Sequence, residues 1–259
     1  MTVDPYQRKS RITPHVSDKK TRHVKYQRVI LKISGEILGK GNQLLDPMAI
    51  DYTTKQIELA HSLGTKLGVV IGGGNIVRGR EMLWFNKIDA DLCGMIATMI
   101  NGIVLGSQLR KNKVVNKLSS GIELDGIVRR CNKFEDVAFF NSGGVLIFVG
   151  GTGNPLFTTD TAAALRAVEL DGDIVIKGTK VEGVYSADPK KNRKAILYRT
   201  LRFDEAIEKN LAVMDSTAFT ICKEASIPIC VYDFMKYPLS SIIRGKKVGT
   251  LITNGGHHD

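Results

Sequence analysis

Two short segments of this 259-residue chain place a lysine at the close of an apolar run, with glycine within three residues. They are Lys32-Ile33-Ser34-Gly35-Glu36 and Lys177-Gly178-Thr179-Lys180. An ammonium beside a small turn, with backbone N–H groups exposed, is suited to a phosphate. Two such lysines can flank a transferring phosphoryl group, for which positioning and charge neutralisation supply most of the catalysis. Asp160 is the expected buried counter-charge for both. A third apolar run ends in Gly72-Gly73-Gly74-Asn75, with Arg78 four residues past Gly74. Glycines there let backbone approach an anion closely, and the arginine can fork onto the same phosphate. The pattern is neither a G-x4-G-K-[ST] loop nor a G-x-G-x-x-G fingerprint, which fails at Val77. A fourth run opens into Gly150-Gly151-Thr152-Gly153-Asn154-Pro155-Leu156-Phe157-Thr158-Thr159-Asp160. Thr158, Thr159 or Asp160 can cap a helix starting near Thr161, whose N-terminus favours an anion. A cap accounts for one of these polar residues and leaves the others for a ligand.

Such turns need a frame that brings them together. Arg28–Ile33, Lys66–Ile71, Val145–Val149 and Asp173–Lys177 read as buried strands, with shorter ones at Pro228–Val231 and Thr250–Thr253. A helix between the first two is signalled by Asp46 as cap, Pro47 in the first turn and Gly64 at its end. Its apolar stripe is Ile50, Thr53, Ile57, Ala60 and Leu63. Further helices are expected at 90–110, 160–170, 203–209 and 215–225. Alternating strands and helices imply parallel crossovers in an α/β sheet covered on both faces, with ligands beyond the carboxyl ends of the strands.

Composition excludes other classes. At 43% apolar and 24% charged residues the chain is neither disordered nor collagen-like. Cys93, Cys131, Cys222 and Cys230 form no C-x-x-C pair and are expected to be buried thiols. No H-E-x-x-H or G-x-S-x-G motif occurs, His257-His258 is read as a terminus, and Asp204-Glu205 as a helix-dipole pair. The uncharged stretch Leu92–Leu109 spans 18 residues but carries Thr98, Asn101, Ser107, Gln108 and three glycines, so a largely buried helix is expected there rather than a membrane span. MTVDPYQRKSRITPH has no apolar core of a secretory signal. Of the net charge of +11, residues 1–28 carry +6, with eight Lys or Arg against two Asp. The leader 1–27 is read as a solvated extension, the alternative being an arm that touches nucleic acid. No aromatic platform or zinc-finger spacing supports a dedicated nucleic-acid role.

With these residues assembled, the chain resembles the bacterial UMP kinases of the amino acid kinase family. The resemblance runs from about Arg28 to Thr253 through VILKISGE, VVIGGGNIVRG, DLCGMIATMINGI, GTGNPLFTTDTAA, KGTKVEGVYSADP, VMDSTAF and GTLIT. It implies a three-layer αβα fold around a mainly parallel sheet, with an acceptor-binding part at about 28–170 and an ATP-binding part at about 171–254. It also implies transfer of the ATP γ-phosphoryl group to UMP, with Mg²⁺ carried by ATP. By resemblance Lys32, Lys177 and Asp160 are catalytic. Lys32, Ile33, Ser34, Gly35, Gly74, Arg78, Thr179, Tyr185 and Asp188 bind ATP. Gly73, Arg78, Asp91, Thr152, Gly153, Asn154, Pro155, Leu156, Phe157, Thr158 and Thr159 bind UMP. Homohexamers, a cytoplasmic location and control by an allosteric nucleotide such as UTP are implied as well. The stretch Gly39-Lys40-Gly41-Asn42-Gln43-Leu44-Leu45 is short and differently charged beside members that GTP activates, which argues against that activation. The segment Arg80–Asp89, with Trp84-Phe85, is also short and is read as a change to the lid over UMP or to a subunit contact. Two other readings stay open: a family member with a carbamate, amino acid or isoprenoid phosphate acceptor, and a nucleotide-sensing regulator that binds nucleic acid.

Overall fold

The computed structural model describes residues 24–78, 84–189, 191, 192, 194–209, 211 and 213–255. Most of the leader, residue 79, residues 80–83 of the short segment and His257-His258 lie outside the described residues.

The apolar runs become strands where expected. In chain order the elements are β1 Arg28–Ile33, α1 Pro47–Ser62, β2 Lys66–Ile71, α2 Lys87–Lys111, β3 Asn116–Ser120, α3 Lys133–Asn141, β4 Val145–Val149 and α4 Thr159–Glu169. They continue with β5 Ile174–Thr179, β6 Thr200–Arg202, α5 Phe203–Glu208, α6 Ser216–Glu224, β7 Ile229–Asp233, α7 Leu239–Ile243 and β8 Thr250–Thr253. The eight strands form one sheet in the order β3-β4-β2-β1-β5-β7-β8-β6. Every pairing is parallel except β7 with β8. One face of the sheet packs on α1, α2 and α7 through Ile57, Ala60, Leu105 and Ile242. The other packs on α3 to α6 through Phe140, Ala163, Ala167, Phe203 and Phe219. This is the expected α/β sandwich of three layers.

Sequence signals set the local structure of α1. Asp46 accepts from the Ala49 N–H at 2.8 Å, Pro47 opens the first turn, and Gly64 follows the end with φ +85°. Four elements were not expected. Strand β3 (NKLSS) and three-residue β6 carry little apolar signal because they are edge strands or close to one. Helix α3 buries little, its Phe134 being largely exposed, and α7 is a five-residue turn after Pro238. Strand β5 also runs past its expected end at Lys177 to Thr179, so Lys177 lies within the strand.

Two expectations about burial need correction. Helix α2 meets the length and hydropathy of a membrane span, yet only 44% of that window is buried. One side packs on the sheet through Met99, Leu105 and Leu109, whereas Leu92, Ile96, Ile100 and Ile103 point away from it. A helix laid on one sheet face can bury only one side. Cys222 and Cys230 are buried thiols, but Cys93 and Cys131 are only partly buried.

Candidate active site

In-register pairing builds the centre. Lys32 in β1 is the direct neighbour of Lys177 in β5. Side chains alternate along a strand, so both point to the face on which Ile30 and Val175 pack against α4. Thr158 caps α4 by accepting from the Asp160 N–H at 3.0 Å, and this sets Asp160 in the first turn, above the two lysines. Lys32 Nζ lies 2.7 Å from Asp160 Oδ1, and Lys177 Nζ donates to Oδ2 at 2.6 Å. Lys177 also donates to the Val213 carbonyl. All three side chains are about nine-tenths buried.

The electrostatics follow from a cluster of two cations and one anion. Burial pushes the Asp160 carboxyl up, but Lys32 and Lys177 outweigh it and hold the pKa below the ordinary carboxylate value. Burial, and then the like charge of Lys32, pull Lys177 down to about 8 against the attraction of Asp160. The cluster carries an excess positive charge at the carboxyl end of a parallel sheet, where an anionic group is accommodated.

Around it the turns interlock. Gly35 opens a short 3-10 turn capped by Ser34, whose Oγ accepts from the Glu36 N–H at 3.3 Å. A Cβ at Gly35 would lie 2.6 Å from the Gly72 carbonyl and 2.9 Å from Asn101 Nδ2, so only glycine lets the turns after β1 and β2 meet. A Cβ at Gly73 would lie 2.7 Å from the Gly94 carbonyl of α2. Gly74 has more room, and Arg78 spans it by donating to the Gly74 carbonyl at 3.0 Å and pairing with Glu36 at 3.1 Å. Ile33 closes β1 as a buried side chain.

The fourth turn folds over the same end. Gly73, Gly74, Asp91, Gly151, Phe157 and Thr159 line a cavity of about 140 Å³. Thr152 to Leu156 form the loop outside that lining. Thr152 Oγ1 accepts from the Asn154 N–H at 3.1 Å, Gly153 has φ +82°, and Leu156 has φ +71°. Asp91 Oδ2 accepts from the Leu156 N–H at 2.8 Å and so ties the loop to α2. A second cavity of about 470 Å³ is lined by Tyr185, Asp188, Pro189, Lys209 and Val213. Thr179 stands at its approach, donating to the Val181 carbonyl at 2.8 Å. Val213, whose carbonyl meets Lys177, joins this cavity to the lysine pair.

Sequence reasoning missed the residues that hold these turns. Asn75 and Asn101 exchange hydrogen bonds at 3.0 and 2.7 Å, and Asn101 also donates to the Gly72 carbonyl at 2.7 Å. Thr98 Oγ1 accepts from the Gly150 N–H at 2.6 Å. Asp215 caps α6 through the Ala218 N–H at 2.7 Å and accepts from Thr161 and Thr158, linking α6 to the start of α4. The stretch Gly39–Leu45 is a tight turn closed by reciprocal Lys40 and Gln43 backbone bonds at 3.0 Å. Among the described residues no group of three or more His, Cys, Asp or Glu is placed to hold a metal ion.

A parallel sheet with a lysine pair, a buried aspartate and glycine turns at its carboxyl end defines a class of small-molecule phosphotransferase. The profile of the amino acid kinase family matches residues 27–233, and the chain belongs to that family. Within it, the chain is 43% identical over 235 residues to a uridylate kinase of Ruthia magnifica, covering 88% of this chain and 98% of that one. It is 44% identical over 229 residues to a uridylate kinase of Thermosipho melanesiensis, covering 88% and 98%. Among solved structures, the UMP kinase from Bacillus anthracis superposes with a TM-score of 0.85 at 30% identity, covering 89% of this chain and 97% of that one. The UMP kinase from Ureaplasma parvum gives 0.82 at 35% identity, covering 88% and 98%.

Proposed function

We propose that the protein is an ATP-dependent UMP kinase, transferring the γ-phosphoryl group to the UMP phosphate to give UDP and ADP in pyrimidine nucleotide synthesis. The observation that carries this reading is the Lys32–Asp160–Lys177 cluster set between two cavities. ATP occupies the 470 Å³ cavity with its nucleoside near Thr179, Tyr185 and Asp188, its phosphates reaching Lys32, Ser34, Gly35 and Gly74. UMP occupies the cavity of Gly73, Asp91, Phe157 and Thr159, with Arg78 at its phosphate and the Thr152–Leu156 loop folding over the pyrimidine. The acceptor part of the chain is then about 28–170 and the donor part about 171–254.

Each lysine has three N–H donors. Lys177 spends two on Asp160 and Val213, which leaves one for the transferring oxygens. Lys32, held by Asp160 alone, faces them from the neighbouring strand. Charge on the phosphoryl oxygens is met by groups already in place, which is where the rate enhancement arises. Asp160 holds the two ammonium groups and moves no proton. Mg²⁺ bound with ATP would supply charge neutralisation at its phosphates. The described residues offer it no ligand cage, both Asp160 oxygens facing lysines, and no step here runs through the ion.

A titration follows from Lys177. Its charged form is needed, and with a pKa of about 8 in the free protein that form declines above that pH. The expected kcat/KM for UMP therefore falls about tenfold per pH unit well above 8. kcat falls at higher pH, because bound phosphates raise the pKa of the lysine. A kcat/KM profile that stays level past pH 9.5 would contradict this.

The acceptor assignment is tested through Asp91, which lines the smaller cavity and holds the loop. Asp91→Ala is expected to weaken UMP binding at least about tenfold, the usual cost of losing a charged hydrogen bond, and to leave ATP binding nearly unchanged. Calorimetric titration of each nucleotide measures both. UMP that fails to bind the parent protein overturns the reading, and equal UMP affinity in Asp91→Ala removes Asp91 from the site.

The exposed stripe Leu92, Ile96, Ile100 and Ile103 on α2 supports self-association, consistent with a cytoplasmic homohexamer under nucleotide control. Ile96→Glu with Ile100→Glu is expected to yield a smaller species by light scattering, and an unchanged mass would place the subunit contact elsewhere.

A further inference from the structure

A third cavity of about 190 Å³ lies away from the phosphoryl centre, bounded by the segment before β1, the first residue of β5, the loop after α7 and β8. Lys177 stands toward the other end of β5, so this cavity and the proposed active site sit at opposite ends of one strand. Its floor is apolar, formed by Ile174, Cys230, Ile242, Val248 and Leu251. Around that floor stand four cations: Lys25, Arg199, Lys246 and Lys247. No carboxylate lines it. Among the described residues none of the four is held in an ion pair. Of the acids close by, Asp173 accepts from the Gln27 and Arg28 N–H groups at 2.7 and 2.8 Å, and Glu182, which also feels the Arg199 charge, pairs with Lys236.

The walls are built before any ligand arrives. The Lys25 N–H donates to the Ile243 carbonyl at 2.8 Å, and the Lys246 N–H to the Ser241 carbonyl at 2.9 Å. Lys25 lies over the Tyr26 ring, its Nζ 5.5 Å from the centroid. Gly245, with φ +80°, leaves room for the Lys25 stem, which a Cβ would meet at 3.0 Å. The cation heads are exposed and free to close on a guest, while the floor is fixed.

The geometry points to a binding site for a small phosphorylated compound with an apolar or aromatic body. Four like charges gathered at one rim repel one another until a multiply charged anion enters, and phosphate supplies two negative charges in a compact group. The apolar floor takes the remainder of the ligand, as most small-molecule sites do. The space is well under half of the 470 Å³ at Tyr185 and Asp188, so the guest is smaller than a nucleoside triphosphate.

The test is calorimetric titration of the full-length protein with phenyl phosphate, alongside inorganic phosphate. Lys246→Glu with Lys247→Glu reverses two exposed charges, and Arg199→Glu independently reverses a third from β6's side of the cavity. Lys32→Met serves as the control that alters only the phosphoryl centre. The expected result is saturable phenyl phosphate binding in the parent and in Lys32→Met, at least tenfold weaker in both charge-reversed proteins. Inorganic phosphate should bind more weakly than phenyl phosphate. Binding that is absent from the parent, or is unchanged by both charge reversals, or is lost only in Lys32→Met, overturns the proposal. Equal affinity for the two probes overturns the role of the apolar floor.

Discussion

Lys177→Met is expected to lower turnover about 10²–10³-fold, the usual cost of removing one preorganised group that meets transition-state charge. The loss should fall on kcat, because the ammonium is worth most when charge on the transferring oxygens is redistributed. Lys32→Met should behave alike, since Lys32 is the register neighbour of Lys177 and shares its counter-ion. Neither change should unfold the protein. The cluster has two cations and one anion, so removing one lysine leaves a neutral, still bonded pair with Asp160. Methionine keeps most of the length of the side chain in an apolar setting. Steady-state kinetics with a thermal melt separate the two effects. Near-normal turnover in both variants would end the two-lysine mechanism.

Asp160→Asn is expected to do the opposite to stability. It leaves two buried ammonium groups facing each other without a counter-charge. Breaking a buried ion cluster in this way costs about 3–5 kcal/mol. For a domain of this size that is on the order of a 10 °C fall in melting temperature. The sign against pH can also be stated. Asp160 has a lowered pKa, so its contribution is present above the unfolded carboxylate value and is lost as pH falls through the folded one. Lys177 has a lowered pKa, so its charged form opposes folding, and stability from this group rises between about pH 8 and its unfolded value. Without Asp160, the Lys177 pKa drops further and the alkaline loss of kcat/KM begins at lower pH. A melting temperature within a degree or two of the parent would contradict the buried counter-ion role.

What the sequence made legible was whatever it writes locally. Runs such as RVILKI and VLIFV are apolar throughout because central parallel strands are covered on both faces, and their ends matched to the residue. The cap and stop of α1 are equally local. The lysine pair was visible because its motif occurs twice, although the register that sets Lys32 beside Lys177 is a property of the sheet. Strand β3 escaped notice because a polar edge strand has no such run. The supports of the site were hidden for a different reason. Asn75 with Asn101, Thr98 with Gly150, and Thr161 with Asp215 join residues 26, 52 and 54 positions apart, and although Asn75, Gly150 and Thr161 sit in turns the sequence marks, nothing local names the partner of each. The exposed side of α2 was misjudged because an apolar helix reads the same whether the sheet or another subunit covers it.

The most direct test of the central claim is ADP release from Mg-ATP, compared across UMP, CMP, dUMP, carbamate and N-acetylglutamate as acceptors. Turnover confined largely to UMP, with UDP as the phosphorylated product, is the predicted result. Turnover of carbamate or of an amino acid in place of UMP would keep the fold and the lysine pair but contradict the assignment of Asp91, Phe157 and Thr159 to the pyrimidine nucleotide.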